Sequence, residues 1–436
     1  MLYQALAGVQ IILGKIIEAR INYKLASETA ENFNVIVSNY SSYLMTFHYN
    51  NKLNDIDIYE EHLKFSNLFK QMKKYTHINK PKQIKTRIGY ISPDFRKHVM
   101  FNFYHSMLKY YDKNKFEVIC YSINKPDENT FYLKGLVDKW VDISNLSYQD
   151  SAEIIYKDEI DILVDLAGHT ANNGLPILAY KPAPIQISGL GYFHTTGLDT
   201  VDYFLTDFNL NPDFNQANFI EKLIPLPNNH LCYSREEYIF RKKEYKVNDK
   251  IIYASFNNYS KITDEILKIW LQIINKVPNS IILLKSQVFS SMDGYEKAIS
   301  RMLKLGFDIK QIILRPATAD YMEEYLHVDI ALDTYPYPGG GTTCDALYMG
   351  VPVISLVGEN HLSRFGYSFL KNIGLEELAV FTPEEYIEKA VALAKDKEIL
   401  KIMHNNLQGI MMKSNIMNQK QYVSELENAY KEIMNE

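Results

Sequence analysis

The stretch Asp329-Ile-Ala-Leu-Asp-Thr-Tyr-Pro-Tyr-Pro-Gly-Gly-Gly-Thr-Thr-Cys-Asp345 decides the fold. Its first residues form a short apolar run, which is typical of a strand buried on both faces of a parallel sheet. Three glycines follow, and a helix is predicted to begin near Thr342. Glycines let a ligand approach the backbone, and the first turn of a helix presents unpaired N–H groups to an anion. The stretch therefore predicts an α/β fold with a phosphate site, and the alternative is a tight strand-to-helix turn without a ligand.

Short apolar runs of the same kind recur on both sides of this stretch. Helix-sized segments separate them, and this alternation predicts two successive α/β units with parallel sheets. Neither G-x-x-x-x-G-K-S/T nor G-x-G-x-x-G occurs at the glycine loop, so the common phosphate-binding motifs are not the basis of the prediction. The predicted strands are 87–92, 116–122, 160–166, 184–190 and 202–206 in the first unit, and 251–256, 280–284, 311–315, 329–333 and 351–356 in the second.

Residues 1–82 are predicted to be helical, because apolar residues recur there at every third or fourth position. Leu2, Val9 and Ile12 belong to one such stripe, which we interpret as packing surface. A polar stretch with a proline at 79–83 predicts a domain boundary. The predicted organisation is a helical region at 1–82, an α/β unit at 83–240, a second at 241–412 and a C-terminal helix at 413–436.

Composition and charge exclude several classes of protein. The chain has 436 residues, of which 47% are hydrophobic, and this is enough for a large core. Lys and Arg total 47 against 52 Asp and Glu, with no long block of like charge, so we expect no nucleic-acid partner. Cys120, Cys232 and Cys344 have neither disulfide nor zinc-ligand spacing. The N-terminal apolar run is too short to span a membrane. We therefore expect a cytoplasmic protein without a cofactor.

Several other side chains lie where predicted strands end. Lys261 follows the first strand of the second unit and would neutralise phosphate, although a surface lysine is the commoner case. His98 follows the first strand of the first unit and is a candidate proton acceptor. His169 and His194 are candidates for the acceptor or sugar side, with structural roles as the alternative. Asp55-Ile-Asp57 has the spacing of a metal site, but we interpret it as a solvated turn or a helix cap, and no metal site is predicted.

Together these segments resemble the catalytic region of the O-GlcNAc transferase and SPINDLY-like family, which are inverting glycosyltransferases of the GT-B type. The resemblance extends from Arg87 to the terminal helix. It is carried by Arg87-Ile-Gly-Tyr-Ile-Ser-Pro-Asp-Phe, Asp161-Ile-Leu-Val-Asp-Leu-Ala-Gly-His-Thr, Pro182-Ala-Pro-Ile-Gln, Phe256-Asn257 with Lys261, Thr342-Thr-Cys-Asp and Gly350-Val-Pro-Val.

The resemblance implies two Rossmann-like lobes that face each other across a cleft, with the nucleotide-sugar mainly on the second. The family's lysine matched by Lys261 contacts the diphosphate. The helix start matched by Gly341, Thr342 and Thr343 holds phosphate, and the aspartate matched by Asp345 contacts the ribose.

By approximate position, Asn258 and Tyr321 would lie near the nucleotide, and His98 matches a histidine that lines the family's active site. Two departures stand out. Gly340 occupies a position where the animal enzymes carry histidine. The tetratricopeptide array that selects protein substrates in the family is expected to be missing, except for a remnant in the N-terminal helices.

The expected function is therefore metal-independent transfer of GlcNAc from UDP-GlcNAc to Ser or Thr hydroxyls of a protein. For a bacterial member without an array, the expected acceptor is a single abundant protein such as flagellin or a surface protein. The alternatives are GDP-fucose or UDP-glucose as donor, a nucleotide-sugar epimerase, and a non-catalytic partner protein. The N-terminal helices are candidates for a homo-oligomer contact.

Overall fold

The computed structural model describes residues 2–49, 54–77, 84–212, 216–235, 245 and 250–435. The chain divides into two compact units. The first unit consists of residues 23–47, 52–235 and 418–436, and the second of residues 1–22, 48–51 and 236–417. The predicted boundaries at 79–83 and 240–241 lie outside the described residues.

The N-terminal region is helical as predicted, within the described residues. Asn32 and Asn54 cap two of its helices, because their side chains accept hydrogen bonds from backbone N–H groups of the first turn. Asn54 Oδ1 accepts from the N–H of Asp57 at 2.8 Å, so the Asp55-Ile-Asp57 motif opens a helix as predicted. The helices are α1 (Leu2–Ile12), α2 (Ile16–Glu28), α3 (Phe33–Met45) and α4 (Asp55–Leu63).

The apolar stripe predicted to be packing surface on α1 is instead exposed. Leu2, Val9 and Ile12 are 79%, 54% and 52% exposed, whereas Ala7 and Ile16 are buried. Helical periodicity shows that a stripe exists and not which stripe faces the core, so this stripe is not covered within the described part of the single chain, and its packing against a second chain stays a prediction. Helix α1 belongs to the second unit and carries no charged residue. Several of its apolar side chains are therefore not covered by other described parts of the chain.

The first unit contains a seven-stranded sheet in the order β3-β2-β1-β4-β5-β6-β7. All paired strands are parallel, and the five strands predicted for this unit are confirmed. The strand order reverses between β1 and β4, where Ile88 lies opposite Ile162. The elements are β1 (Thr86–Ser92), α5 (Phe101–Lys109), β2 (Phe116–Ser122), α6 (Glu128–Lys134), β3 (Lys139–Asp142), α7 (Tyr148–Lys157), β4 (Ile162–Asp165), α8 (Leu175–Leu178), β5 (Ile185–Ser188), β6 (Tyr203–Asp207) and β7 (Lys222–Leu226).

The second unit contains a six-stranded parallel sheet in the order β10-β9-β8-β11-β12-β13. This is the 3-2-1-4-5-6 order of the dinucleotide-binding fold, with its topological switch point between the first and fourth strands. Thr263 caps the first helix, which starts with Asp264 and Glu265 and ends with Lys276, so its charges complement the helix dipole. The elements are β8 (Ile251–Ser255), α9 (Asp264–Lys276), β9 (Ser280–Lys285), α10 (Met292–Leu305), β10 (Ile312–Arg315), α11 (Tyr321–Glu324), β11 (Ile330–Leu332), α12 (Gly341–Tyr348), β12 (Val353–Leu356), α13 (Phe365–Asn372), β13 (Ala379–Val380), α14 (Pro383–Lys395) and α15 (Lys397–Lys413).

The terminal helix α16 (Gln419–Asn435) belongs to the first unit. Its predicted apolar face is buried through Tyr422, Leu426 and Tyr430. The hydroxyl of Tyr422 donates to the carbonyl oxygen of His230 at 2.9 Å, which ties the helix to the loop after β7. Within the described part of the chain, no helix is long and apolar enough to cross a membrane.

Candidate active site

The second unit brings the predicted phosphate-binding residues to the carboxyl ends of β8 and β11. These strands are neighbours at the switch point of the sheet, which is where open α/β sheets bind ligands. The segment after β8 ends in a 3₁₀ turn, Tyr259–Lys261, and the segment after β11 runs through the glycines into α12. Both loops therefore lie at one edge of the sheet.

The buried carboxylate of Asp333, directly after β11, organises the glycine loop. Its Oδ1 accepts from the backbone N–H groups of Gly339 at 2.7 Å and Thr334 at 2.9 Å. Its Oδ2 accepts from the hydroxyl of Ser355 at 2.9 Å. Burial raises the pKa of Asp333, and these hydrogen bonds together with the charge of Lys261 oppose that shift. The carboxylate of Asp333 thus holds the glycine loop against the sheet just before α12 begins.

Two glycines of the loop have different environments. A Cβ on Gly339 would lie 2.3 Å from Oγ1 of Thr342 and 2.5 Å from Oγ1 of Thr343, so a larger residue cannot fit there without movement. A Cβ on Gly340 would meet no atom of the described residues within 4 Å. Gly340 is the N-cap of α12 and, among the described residues, no side chain caps this helix. The N–H groups of its first turn are therefore free to bind an anion.

Lys261 lies against this loop. Its Nζ donates to the carbonyl oxygen of Pro338 at 3.0 Å and lies 3.7 Å from the centroid of the Tyr337 ring. Desolvation lowers the pKa of Lys261 to about 8, and the nearby carboxylate of Asp333 opposes this effect. No carboxylate of the described residues bonds directly to this partly buried ammonium. A bound anion would therefore stabilise the charged form, so this position suits a diphosphate.

The two side chains predicted to contact the nucleoside are hydrogen-bonded to each other. The hydroxyl of Tyr321, the first residue of α11, donates to Oδ2 of Asp345 at 2.6 Å. Asp345 is buried in α12, one turn after Gly341. Asn258 is exposed on the other loop, where its side chain accepts from the N–H of Ser260 at 3.3 Å. The structure thus groups the predicted nucleotide-sugar residues in one unit, whereas their ligand contacts stay predictions.

His98 lies in the first unit, after the carboxyl end of β1. Its Nδ1 is 3.4 Å from Oδ1 of Asp94, and the N–H of Met100 donates to Nδ1 at 3.4 Å. Desolvation lowers the pKa of His98, and the carboxylate of Asp94 opposes this shift. The imidazole is partly exposed, and its lowered pKa favours the neutral form, which fits a proton acceptor.

His169 and His194 are buried in the core of the first unit, and this does not fit the predicted contact with an acceptor or a sugar. His194 stacks on His62 with ring centroids 4.7 Å apart. Nδ1 of His169 is 3.0 Å from the hydroxyl of Ser41, and its Nε2 is 2.9 Å from the carbonyl oxygen of Thr196. Burial lowers the pKa of both His169 and His62, so these imidazoles are neutral packing groups.

Three residues of the second-unit site were not predicted. They are Asp333, which holds the loop, Tyr337, whose ring contacts Lys261, and Asn257, whose Oδ1 accepts from the hydroxyl of Thr342 at 2.9 Å. A signal existed for Asp333, because a carboxylate directly after a buried strand must be paired or functional. Asn257 belongs to a segment that carries the family resemblance, whereas no sequence feature pointed to Tyr337. Among the described residues, no group of three or more His, Cys, Asp or Glu side chains is placed to hold a metal ion.

Two parallel sheets of Rossmann-like order, one with a helix start that no described side chain caps at its switch point, define an α/β protein of the Rossmann-like class. The sequence profile of Glycosyl transferase family 41 matches residues 61–240 and 232–426. The chain belongs to this glycosyltransferase family, and the predicted resemblance is confirmed.

Several known proteins are similar to this chain. A Petunia hybrida protein named as a probable UDP-N-acetylglucosamine–peptide N-acetylglucosaminyltransferase SPINDLY is 34% identical over 404 residues, which are 89% of this chain and 43% of the relative. The Arabidopsis thaliana protein SEC, with the same named activity, is 30% identical over 370 residues, 80% of this chain and 37% of the relative. The chain thus spans less than half the length of these curated relatives.

A solved structure extends the comparison to the fold. The Thermobaculum terrenum O-GlcNAc transferase, in a variant with one lysine replaced by methionine, matches with a TM-score of 0.89 and 27% identity. The match covers 99% of this chain and 83% of that chain. The predicted α/β fold of the GT-B type is therefore confirmed.

Proposed function

We propose that this chain transfers GlcNAc from UDP-GlcNAc to Ser or Thr hydroxyls of a protein, with inversion at the anomeric carbon and without a metal ion. The named activities of its relatives support the donor and the class of acceptor. The match to an O-GlcNAc transferase over 99% of the chain supports the same assignment.

One observation carries the proposal, namely the placement of Lys261 against the loop that opens α12. When the bond between the anomeric carbon and the phosphate oxygen breaks, negative charge develops on the β-phosphate of the departing UDP. The ammonium of Lys261 and the free N–H groups at the start of α12 are preorganised donors for this charge. In this proposal they replace a metal ion.

The acceptor hydroxyl forms the new bond to the anomeric carbon on the face opposite the departing nucleotide. Its proton must pass to a base, and we assign this role to His98. The lowered pKa of His98 favours its neutral form. In the tautomer whose Nδ1–H faces Oδ1 of Asp94, the proton of the acceptor passes to Nε2, and Asp94 stabilises the imidazolium that forms. His98 is thus the proton acceptor in the proposed reaction.

Nucleoside recognition is assigned to the hydrogen-bonded pair of Tyr321 and Asp345. A carboxylate that accepts from a tyrosine hydroxyl can accept equally from a ribose hydroxyl, and the tyrosine ring offers an apolar face to a base. Asn258, exposed beside the same edge, supplies an amide that both donates and accepts.

The test is a transfer assay in which UDP-GlcNAc, UDP-glucose and GDP-fucose are compared as donors, each with and without EDTA. Acceptors are a lysate of the source organism, its purified flagellin and its surface proteins. We expect EDTA-resistant labelling from UDP-GlcNAc on a discrete protein, with the sugar mapped to Ser or Thr by mass spectrometry. The proposal would be contradicted by labelling from GDP-fucose alone. It would also be contradicted by release of UDP without sugar transfer, or by transfer that depends on a divalent metal.

A further inference from the structure

The first unit contains a polar cavity of about 720 Å³ that the proposed reaction has not used. It lies at the carboxyl ends of four adjacent strands, because residues that follow β1, β2, β3 and β4 line it. Helix α3 supplies another part of the wall through Asn34, Val37 and Ser38. The carboxyl ends of strands in an open parallel sheet are the usual place for a ligand.

The charge of the cavity points to an anionic ligand. Its lining includes the cations Arg96 and Lys125 and, within the described residues, no acidic side chain. Nη2 of Arg96 forms a long ion pair with Oδ1 of Asp94 at 3.6 Å, which engages only one edge of the guanidinium. The buried Nε of Arg96 has no hydrogen-bond partner among the described residues. Arg96 therefore retains donors in the forked geometry that matches a carboxylate or a phosphate.

The remaining lining favours a peptide over a small inorganic anion. Asn34, Asn172 and Ser144 offer amide and hydroxyl groups along the wall, and Asn34 and Asn172 are exposed. Amide side chains both donate and accept, as the peptide group does. The cavity thus offers hydrogen-bonding groups that match a polypeptide backbone, and two cations that match one anionic side chain.

We propose that this cavity binds an anionic side chain of the acceptor polypeptide, a carboxylate or a phosphorylated residue, through Arg96 and Lys125. The inference rests on the proposed function, since it assumes a protein acceptor. Asp94 connects the cavity with the proposed base, because its Oδ1 lies 3.6 Å from Arg96 and 3.4 Å from His98. An acceptor that engages Arg96 is therefore held next to the carboxylate that orients His98.

The experiment uses fluorescein-labelled Ser-containing peptides that carry Glu, phosphoserine or Gln at one scanned position. Binding to the full chain is measured by fluorescence anisotropy, with and without UDP. At one position we expect the Glu or the phosphoserine peptide to bind at least about tenfold more tightly than the Gln peptide, as for a charge-assisted hydrogen bond. The comparison of Glu with phosphoserine identifies the source of the anionic group.

The variants Arg96→Gln and Lys125→Gln should each reduce this preference to about twofold or less. Lys73→Gln should keep it, because Lys73 is exposed in the same unit but outside the cavity lining. If Arg96→Gln does not fold, Lys125→Gln carries the test, since Lys125 is exposed. No preference in the wild type, or an undiminished preference in both variants, overturns the inference. The shift in Tm that UDP causes is measured in a separate experiment. If UDP causes no shift, the proposed function is contradicted. The ratio of the affinities for the Glu and Gln peptides still tests the cavity.

Discussion

Replacing Lys261 by methionine removes the ammonium and keeps a long apolar stem. The account predicts that kcat/KM for UDP-GlcNAc falls by about 10² or more, because loss of one preorganised contact to a developing charge costs about 3 kcal/mol. Nζ lies 3.0 Å from the carbonyl oxygen of Pro338, in the loop that opens α12, and is therefore beside the proposed phosphate site. Steady-state turnover measured with one acceptor protein checks this.

The same substitution is predicted to leave the free energy of unfolding unchanged or higher. Desolvation lowers the pKa of Lys261 from 10.5 to about 8, so the charged form is disfavoured in the folded protein. The resulting cost is fully present below pH 8 and is relieved as the pH rises from about 8 towards 10.5. At about 1.4 kcal/mol per pH unit the shift of about 2.5 units corresponds to at most about 3.5 kcal/mol, and partial exposure of Lys261 reduces this cost to about 1 kcal/mol.

The control is Lys268→Met, which removes an exposed lysine from α9 in the same unit and should keep wild-type turnover. Denaturant unfolding at pH 7 and pH 9 is run for both variants beside the kinetics. Wild-type turnover by Lys261→Met would refute the reasoning. Loss of turnover together with a lower free energy of unfolding would show instead that Lys261 stabilises the fold.

Three further predictions concern the nucleoside contacts, the buried histidines and the N-terminal helices. Tyr321→Phe and Asp345→Asn should each raise the KM for the donor about tenfold with a smaller effect on kcat, and equal KM values would contradict the nucleoside assignment. Burial lowers the pKa of His62 to about 4, so His62 alone should lower the free energy of unfolding by about 2 kcal/mol between pH 7 and pH 5, as the unfolded chain takes up the proton first; denaturant titrations of the wild type and His62→Gln check this, and an equal pH dependence of the two proteins would exclude it. Leu6→Lys, on the exposed face of α1, should convert the predicted homo-oligomer to monomer in sedimentation velocity without lowering Tm, and an unchanged sedimentation coefficient would remove this helix from the interface.

The strands that could be predicted are those with continuous apolar runs. β1, β2 and β8 start or end within a residue of their predicted limits, because both faces of these strands are covered. β3 and β7 were missed since they are edge strands of the first sheet, and β3 carries charged residues at both ends. A half-covered edge strand leaves little apolar pattern to detect.

The site was partly predictable for a similar reason. Local chain geometry determines the glycine loop, the position of Lys261 and the start of α12. The residue types in these segments predict that geometry directly. The roles of His169 and His194 depend on what covers them, and their partner His62 lies more than a hundred residues away in the sequence. The contact of Tyr337 with Lys261 likewise arises from folding of the loop and leaves no local signal.

Binding of the donor's diphosphate at the start of α12, as proposed above, can be tested directly at Gly340. A Cβ at this position meets no atom of the described residues within 4 Å, so Gly340→Asp and Gly340→Asn should both fold. The two variants differ only in charge. UDP is titrated into each in the presence of EDTA by calorimetry. The account predicts that the Asn variant binds UDP within a few fold of the wild type and that the Asp variant binds at least about tenfold more weakly, because a carboxylate repels the diphosphate. Equal affinity of the two variants for UDP would contradict the claim.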